Sequence, residues 1–191
     1  MTRQTKYGLI LLIGSIIGWL VSGALVLERI ALYKDPNHVA SCDVNTFVSC
    51  TDVMKTPQAG LFGFPNPFLG IVAFAVAITI GVLLVSGVKL PRWFMIGLQV
   101  GITVGLGFIV FFWSQSLYVI GALCPYCMVV WSVVIPMFIY TTIFNMQESV
   151  IFKRMRASDI EGIRSWAWVI LLVAYIGIAA SILFRFFLGY L

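Results

Sequence analysis

Four cysteines, arranged as two pairs, are the residues of this chain best suited to chemistry. Cys124 and Cys127 form a CxxC motif, and Cys42 and Cys50 lie upstream with seven residues between them. A CxxC pair closes a small ring that can open and form again with little movement of the backbone. If a helix begins at Pro125, its free N–H groups and its dipole favour the thiolate of Cys124. The spacing therefore predicts a redox-active pair.

Two other interpretations of the cysteines stay open on spacing alone. A CxxC can be a structural disulfide at a helix end, and four thiolates can bind zinc. Zinc sites of this kind usually repeat the CxxC spacing, whereas Cys42 and Cys50 lie further apart, which disfavours zinc. No GxxxxGK[ST], HExxH or GxSxG pattern occurs, so phosphate chemistry and hydrolysis lack the residues that they need.

The composition predicts an all-α polytopic membrane protein. Of 191 residues, 61% are hydrophobic and 10% charged, whereas about a quarter of the residues of soluble domains are charged. A bilayer-spanning helix needs about 20 apolar residues. Charge-free runs predict five spans: Gly8–Leu27, a helix from about Phe68 to Val88, two helices within Trp93–Gln147 that turn near Tyr118–Leu123, and Ser165–Phe184.

The basic residues predict the orientation and should not be taken as a nucleic-acid signal. Eight of the twelve lie in three short segments, 1–7, 88–92 and 148–165. By the positive-inside rule these segments are cytoplasmic, so the N-terminus is inside, and the outer loop 33–66 and all four cysteines lie at the outer face. The first run could instead be a cleaved signal peptide, although it is longer than the usual apolar region of one.

Two cysteine pairs on one face suit a relay, because thiol–disulfide exchange moves two electrons through a mixed disulfide. A short helix over Ser49–Thr56, capped by Ser49 or Thr51, would carry Cys50 to the mouth of the helix bundle. No haem, flavin or iron–sulfur signature is present, and the only histidine, His38, is expected to be solvated in the outer loop. By elimination, the predicted electron acceptor is a quinone dissolved in the bilayer.

Three motifs together resemble the vitamin K epoxide reductase family. They are Cys-Asp-x-Asn-x-x-x-Ser-Cys from Cys42, Phe-Pro-Asn-Pro-Phe-Leu-Gly from Phe64, and Cys-Pro-Tyr-Cys from Cys124, in family order. The resemblance covers roughly Gly8 to Asn145. It is closest to the bacterial members, which oxidise a DsbA-like thioredoxin-fold partner and reduce quinone.

The resemblance implies an architecture and a setting. We expect a four-helix catalytic bundle around a quinone over 1–147, the basic cytoplasmic loop 148–165, and a peripheral fifth helix over 166–191. The expected location is the bacterial cytoplasmic membrane, with a menaquinone, ubiquinone or vitamin K type of quinone. Some bacterial relatives continue into a fused thioredoxin domain, and because this sequence ends at Leu191, a separate partner protein is expected.

The resemblance also assigns roles to five residues. Cys42 matches the outer shuttle cysteine, which receives electrons from the partner. Cys50 matches the inner shuttle cysteine, which exchanges with Cys124, so a Cys42–Cys50 disulfide and a Cys124–Cys127 disulfide are implied. Cys127 matches the cysteine beside the quinone ring, and Asn66 matches the asparagine that hydrogen-bonds a quinone carbonyl.

One position departs from the vertebrate pattern. Trp131 stands where vertebrate members place a tyrosine as donor to the other carbonyl, and an indole N–H can donate a hydrogen bond but cannot relay a proton. Quinone reduction is therefore favoured over the rival activity, vitamin K epoxide reduction. A second rival is a non-enzymatic membrane scaffold braced by structural disulfides. Further residues expected to line the quinone pocket or its mouth are Met54, Phe64, Phe68, Phe111, Phe112 and Leu123.

Overall fold

The protein is a bundle of long helices. A computed structural model describes residues 2–148, 150–151 and 157–188. The helices are α1 (Arg3–Lys34), α2 (Cys50–Lys55), α3 (Pro67–Val85), α4 (Arg92–Gln115), α5 (Pro125–Gln147) and α6 (Ala157–Leu183). A 3-10 turn, Pro57–Gly60, follows α2, and π-helical turns, Ser116–Ile120 and Phe184–Leu188, extend α4 and α6.

Five of these helices are long and apolar enough to cross a membrane among the described residues, namely α1, α3, α4 with its π turn, α5 and α6. The predicted all-α, five-span class is confirmed, and the chain is a multi-pass membrane protein. The turn expected near Tyr118–Leu123 is present, because Gly121 adopts a left-handed conformation with φ 71° that ends the π turn before α5.

Helix α1 lies between α3 and α5, and α5 also packs against α4 and α6. The close approach of α1 to α3 depends on small residues. A Cβ at Gly81 would lie 3.0 Å from the Leu12 backbone, and one at Gly18 would lie 2.4 Å from the Phe74 ring. By contrast, α3 and α4 make few contacts with each other.

Helix α6 is peripheral. It packs on α5, where the Tyr175 hydroxyl donates to the Ser132 carbonyl oxygen at 2.7 Å. Only 6% of the residues in its most apolar part are buried against the rest of the protein. Its first turn begins at Ala157, so the second half of the segment 148–165, predicted as a loop, is helical. Residues 149 and 152–156 of that predicted loop lie outside the described residues.

Candidate redox site

Three cysteine sulfurs lie side by side at one end of the bundle. Cys42 and Cys50 are joined by a disulfide, and the Cys124 sulfur lies 3.3 Å from the Cys50 sulfur. The Cys127 backbone N–H donates to the Cys124 sulfur, also at 3.3 Å. Cys50 is therefore bonded to one cysteine and in contact with the next, as exchange between two pairs requires.

A backbone bridge between two distant segments sets this contact. Val48 pairs with Leu123 in a parallel bridge, in which the Ser49 N–H donates to the Leu123 carbonyl at 2.9 Å and the Leu123 N–H donates to the Phe47 carbonyl at 2.8 Å. Cys50 directly follows Ser49, and Cys124 directly follows Leu123. The bridge therefore fixes their register.

Each of the two contacting cysteines stands at a helix start. Ser49 caps α2, since its hydroxyl accepts from the Asp52 N–H at 3.1 Å, and Cys50 is the first residue of that helix. Cys124 is the N-cap of α5, with Pro125 in the first turn. Ser49, and not Thr51, is thus the cap. The Thr51 hydroxyl instead accepts from the Ala40 N–H at 2.9 Å, which ties the loop to α2.

The sulfurs are enclosed by apolar side chains. Cys50 and Cys124 are 0% and 1% exposed, and Cys42 is 6% exposed. Residues Leu25, Leu32, Ala40 and Met54 complete this cluster. Cys127 is half-buried and packs against both this cluster and the main core of the bundle. It is therefore the cysteine that joins the sulfur cluster to the interior between the helices.

The Cys124 thiol is set up to ionise. A hydrogen bond from the Cys127 side chain lowers its pKa most, and the backbone N–H groups of Cys127 and Tyr126 lower it further. Burial and the charge of Asp43 act in the opposite direction, but the pKa stays below its ordinary value. The direction agrees with the expectation for the first cysteine of a CxxC at a helix N-terminus.

Asp43 acts mainly as a cap for α2. Its carboxylate accepts from the Thr51 N–H at 3.0 Å. Burial raises the pKa of Asp43, but hydrogen bonds from Thr51, Cys50 and Ser49 outweigh it and hold the pKa below its ordinary value. Cys42, Asp43 and Cys50 also place their ligand atoms within 4.8 Å of one another. Because two of those atoms form a disulfide, the group does not offer thiolates to a metal in this state.

A polar frame, which we define as Glu28, His38, Ser41 and Tyr126, holds the loop that carries Cys42. Glu28 on α1 contacts the His38 ring nitrogen at 2.8 Å and accepts from the Ser41 hydroxyl at 2.5 Å. The Ser41 hydroxyl also lies 3.1 Å from the Tyr126 hydroxyl inside the CxxC motif. The expectation that His38 is simply solvated is wrong, because its ring pairs with Glu28.

Sequence reasoning missed most of this support. Glu28 is the first acidic residue of the sequence and directly follows the charge-free run Gly8–Leu27. That position is a signal that could have marked it. Arg29 beside it donates to the Met54 carbonyl at the end of α2 and lies over the Tyr33 ring at 4.7 Å. Both α1 residues thus anchor the outer loop.

Asn66 lies at the start of α3, where it closes the loop before that helix. Its side-chain oxygen accepts from the Leu61 N–H at 3.2 Å, and its amide nitrogen donates to the Gln58 carbonyl at 2.6 Å. Since an amide nitrogen carries two hydrogens, this uses one of them. Phe68 is the second residue of α3 and is 41% exposed.

Aromatic rings connect this loop to the C-terminal half of α4. The Phe62 ring contacts Phe64 at 6.1 Å and Phe108 at 5.9 Å, and Phe112 contacts Phe108 at 6.2 Å and Phe111 at 5.3 Å between ring centroids. Phe64, Phe111 and Phe112 were expected here. Phe62 and Phe108 were not, although Phe108 lies one helical turn before Phe112 on the same face.

The remaining expected pocket residues are more deeply buried. Trp131 is 4% exposed and lies in the main core, one turn after Cys127. Met54 is 5% exposed and packs in the sulfur cluster, and Leu123 is 4% exposed in the main core. A cavity of about 300 Å³ lies at the end of the bundle opposite the cysteines, and one of about 280 Å³ lies nearer the middle. Neither is lined by a predicted site residue.

The family comparison decides the class of protein. The model described as "Vitamin K epoxide reductase family" matches residues 9–142, from the first turns of α1 to near the end of α5. The chain belongs to the vitamin K epoxide reductase family. A search of curated proteins finds no match. As a member of this family the protein is a membrane oxidoreductase, and the matched region contains all four cysteines.

Proposed function

We propose that the protein is a thiol–disulfide oxidoreductase that reoxidises a separate DsbA-like thioredoxin-fold protein and passes the electrons to a membrane quinone. The observation that carries this proposal is the position of Cys50, which is disulfide-bonded to Cys42 and 3.3 Å from the Cys124 sulfur. A scaffold braced by two separate disulfides has no need of such contact.

The first step occurs at the shuttle disulfide. A partner thiolate attacks the Cys42 sulfur, which forms a mixed disulfide and releases Cys50 as a thiolate. The partner's second thiol then attacks that bond, so the partner leaves oxidised and Cys42 is reduced. Cys42 is 6% exposed, and the docked partner must therefore displace part of its loop.

The second step transfers the electrons between the pairs. The Cys50 thiolate attacks Cys124 in a Cys124–Cys127 disulfide and releases Cys127 as a thiolate. The Cys42 thiol then attacks Cys50, which restores the Cys42–Cys50 disulfide and leaves both CxxC residues reduced. The structure has this arrangement of bonds, with Cys42–Cys50 closed and Cys124 and Cys127 free.

The CxxC pair then closes its disulfide and gives up two electrons and two protons. A quinone accepts the two electrons and the two protons and becomes a quinol. The low pKa of Cys124 favours the thiolate that attacks to close the bond. Cys127 is the cysteine in contact with the bundle interior, so its sulfur is the one suited to meet an acceptor that arrives from the bilayer.

The aromatic residues that follow one another from the loop before α3 onto α4 are suited to a quinone. The rings of Phe62, Phe108 and Phe112 contact one another in series. Aromatic faces stack on a flat ring, and Asn66 has a second amide hydrogen that can be donated to a carbonyl oxygen. The buried Gln58 side-chain oxygen, next to Asn66, has no partner among the described atoms, which is typical of a site that receives a further polar group.

We further propose that the protein lies in the bacterial cytoplasmic membrane with the cysteines outside. Support comes from the distribution of charge. The starts of α1 and α4 carry Arg3, Lys6 and Arg92, and they lie at the end of the bundle opposite Cys124. By the positive-inside rule that end faces the cytoplasm, and the cysteines then face the oxidising compartment in which disulfides persist.

The decisive experiment is quinone-dependent oxidation of a reduced DsbA-like protein by the purified protein in detergent. We expect turnover with the native chain and none with Cys124→Ser or Cys127→Ser. Cys42→Ser should block turnover from the protein partner but leave oxidation of a small dithiol at the CxxC pair. Turnover by Cys127→Ser at the native rate would refute the assignment. Vitamin K epoxide as the sole acceptor tests the rival activity, and we expect it not to be reduced.

A trapping experiment isolates the contact itself. In the double variant Cys42→Ser, Cys127→Ser the two remaining cysteines are the neighbours Cys50 and Cys124. We expect them to form a disulfide in nearly every molecule, detected by mass spectrometry of the cleaved protein. The matched control pairs Cys42 with Cys127 by replacing the other two cysteines, and it should remain reduced. Equal cross-linking in both would contradict the relay order.

A further inference from the structure

A cavity of about 300 Å³ opens at the end of the bundle opposite the cysteines. Its rim carries three cations, Arg3 and Lys6 of α1 and Arg164 of α6. No acidic residue lines it within the described part of the chain. An ion pair joins Arg164 to Glu161 at 4.0 Å, and both side chains are more than half exposed, so this contact screens Arg164 only weakly.

The floor of this cavity is apolar. Ile10, Ile143 and Phe144 line it, and the Tyr7 ring stacks on Phe144 with centroids 4.4 Å apart. The Tyr7 hydroxyl is used in a 2.8 Å hydrogen bond to buried Thr141, so it ties α1 to α5 and does not project into the opening. A strongly cationic rim over an apolar floor favours a ligand that has an anionic head and a hydrocarbon part.

A second cavity of about 280 Å³ continues from the first along the seam of α1 and α5. The two share Ile10, and the second is lined almost wholly by apolar groups, including Ile13, Ile17 and Met137. Gly14 lies in its wall. Together the two cavities form a furrow, defined as the α1–α5 furrow, that runs from the basic rim towards the middle of the bundle.

We infer that the α1–α5 furrow is a binding site for an anionic phospholipid. The phosphate and headgroup would lie against Arg3, Lys6 and Arg164, and one acyl chain would follow the apolar seam past Ile13. Charge complementarity selects this occupant. A quinone has an apolar tail but an uncharged head, which would form no ion pairs with the three cations. A free phosphate has no hydrocarbon part that could fill the apolar seam.

The position of the site agrees with this occupant. Arg3 and Lys6 lie in the first turns of α1, and Arg164 lies two turns into α6, so all three are near helix ends. Phospholipid headgroups occupy that depth of a bilayer. The site joins α1, α5 and α6, and a lipid bound there would brace the peripheral helix α6 against the helices that carry the cysteine cluster.

The test measures the thermal stability of the delipidated full-length protein in a neutral detergent. Added phosphatidylglycerol should raise the melting temperature by several degrees, because a ligand that binds only the folded state stabilises it. Phosphatidylcholine and soluble glycerol phosphate should not. Each cation should be worth about fivefold in affinity. The triple variant Arg3→Gln, Lys6→Gln, Arg164→Gln should therefore bind phosphatidylglycerol on the order of a hundredfold more weakly.

Two further variants make the result specific to this site. Lys34→Gln, Lys55→Gln, Lys89→Gln removes the same charge from exposed positions elsewhere and should keep the full effect of phosphatidylglycerol. Ile13→Trp, at a side chain that is 56% exposed, fills the seam and should weaken binding of the lipid while the cations remain. The inference is overturned if phosphatidylcholine or glycerol phosphate stabilises as well as phosphatidylglycerol. It is also overturned if the two triple variants lose the effect equally.

Discussion

The backbone N–H of Ser49 donates to the carbonyl oxygen of Leu123 at 2.9 Å, and the residues that follow these two are Cys50 and Cys124. The bond joins segments that are more than seventy residues apart in the chain. It holds Cys50, the first residue of α2, against Cys124, the N-cap of α5. The proposed relay would thus depend on a backbone contact, which residue types alone do not reveal.

The cap of α2 should matter for the exchange as well as for stability. We expect Ser49→Ala to destabilise the protein by about 1 kcal/mol, because it removes the N-cap bond to Asp52. It leaves the backbone bond to Leu123 in place. Exchange between the cysteine pairs should slow, since α2 carries Cys50, and stopped-flow oxidation of the partner measures this.

A control at the other end of the same helix separates the two effects. The Thr56 hydroxyl donates to the Val53 carbonyl at 2.7 Å, so Thr56→Ala also weakens α2 but at the end away from Cys50. We expect a comparable loss of melting temperature with a smaller change in exchange rate. If the two variants slow exchange equally, the position of the cap next to Cys50 has no special role.

Asp43 should tune the ionisation of Cys124. Its negative charge raises the pKa of that thiol, so replacing the charge should lower the pKa and increase the thiolate fraction at neutral pH. In Asp43→Asn we therefore expect the ultraviolet absorbance of the thiolate to appear at lower pH than in the native protein. Asp52→Asn, at an exposed acid of α2, should shift the curve less. An unchanged or higher midpoint in Asp43→Asn would contradict this account.

Asp43 should also stabilise the fold in a pH-dependent way. Its pKa is lower in the folded state than its ordinary value of about 4, so the folded state favours the charged form. The stabilisation is therefore present above that ordinary value and is lost as the pH falls through the folded-state pKa. Asp43→Asn should lower the melting temperature at neutral pH, and the difference from the native protein should disappear in acid. A constant difference across the titration would exclude the linkage.

The polar frame should limit access of the partner to Cys42. Ser41→Ala removes the hydrogen bonds of the Ser41 hydroxyl to the Glu28 carboxylate and the Tyr126 hydroxyl. We expect this to lower the free energy of unfolding by about 1 kcal/mol. The loop that buries Cys42 then opens more readily. We expect faster reduction of the Cys42–Cys50 disulfide by a small dithiol, together with a lower melting temperature. Ser165→Ala, which removes an exposed hydroxyl on α6, is the control. Slower reduction in Ser41→Ala would show that the frame presents Cys42 to the partner and does not cover it.

The sequence predicted the parts of the protein that depend on local pattern. The five spans follow from charge-free length, and the Ser49 cap and the helix that starts at Pro125 follow from residue types at helix ends. The Ser49–Leu123 bond, the Glu28–His38 pair and the Phe62–Phe108 contact could not be predicted in this way. Each joins residues that come together only through the tertiary fold, and their composition alone would suit many other partners. Helix α6 begins at Ala157, ahead of the charge-free run Ser165–Phe184, because a helix can include a polar stretch before its apolar part.

We expect the Asn66 side chain to have two separable functions, holding its loop and donating a hydrogen bond to the quinone, and a pair of variants distinguishes them. Its oxygen holds the loop through Leu61, and its amide nitrogen donates to Gln58 and has a second hydrogen for a carbonyl. Asn66→Ala loses both functions, whereas Asn66→Asp keeps an acceptor for the Leu61 N–H but has no amide donor. We expect Asn66→Asp to recover much of the melting temperature lost in Asn66→Ala. Both variants should reduce quinone about tenfold or more slowly, since removal of a preorganised donor costs at least that much, while transfer from the partner to the CxxC pair continues. Recovery of quinone reduction in Asn66→Asp would mean that the loop contact, and not a bond to the quinone, explains the effect of losing Asn66.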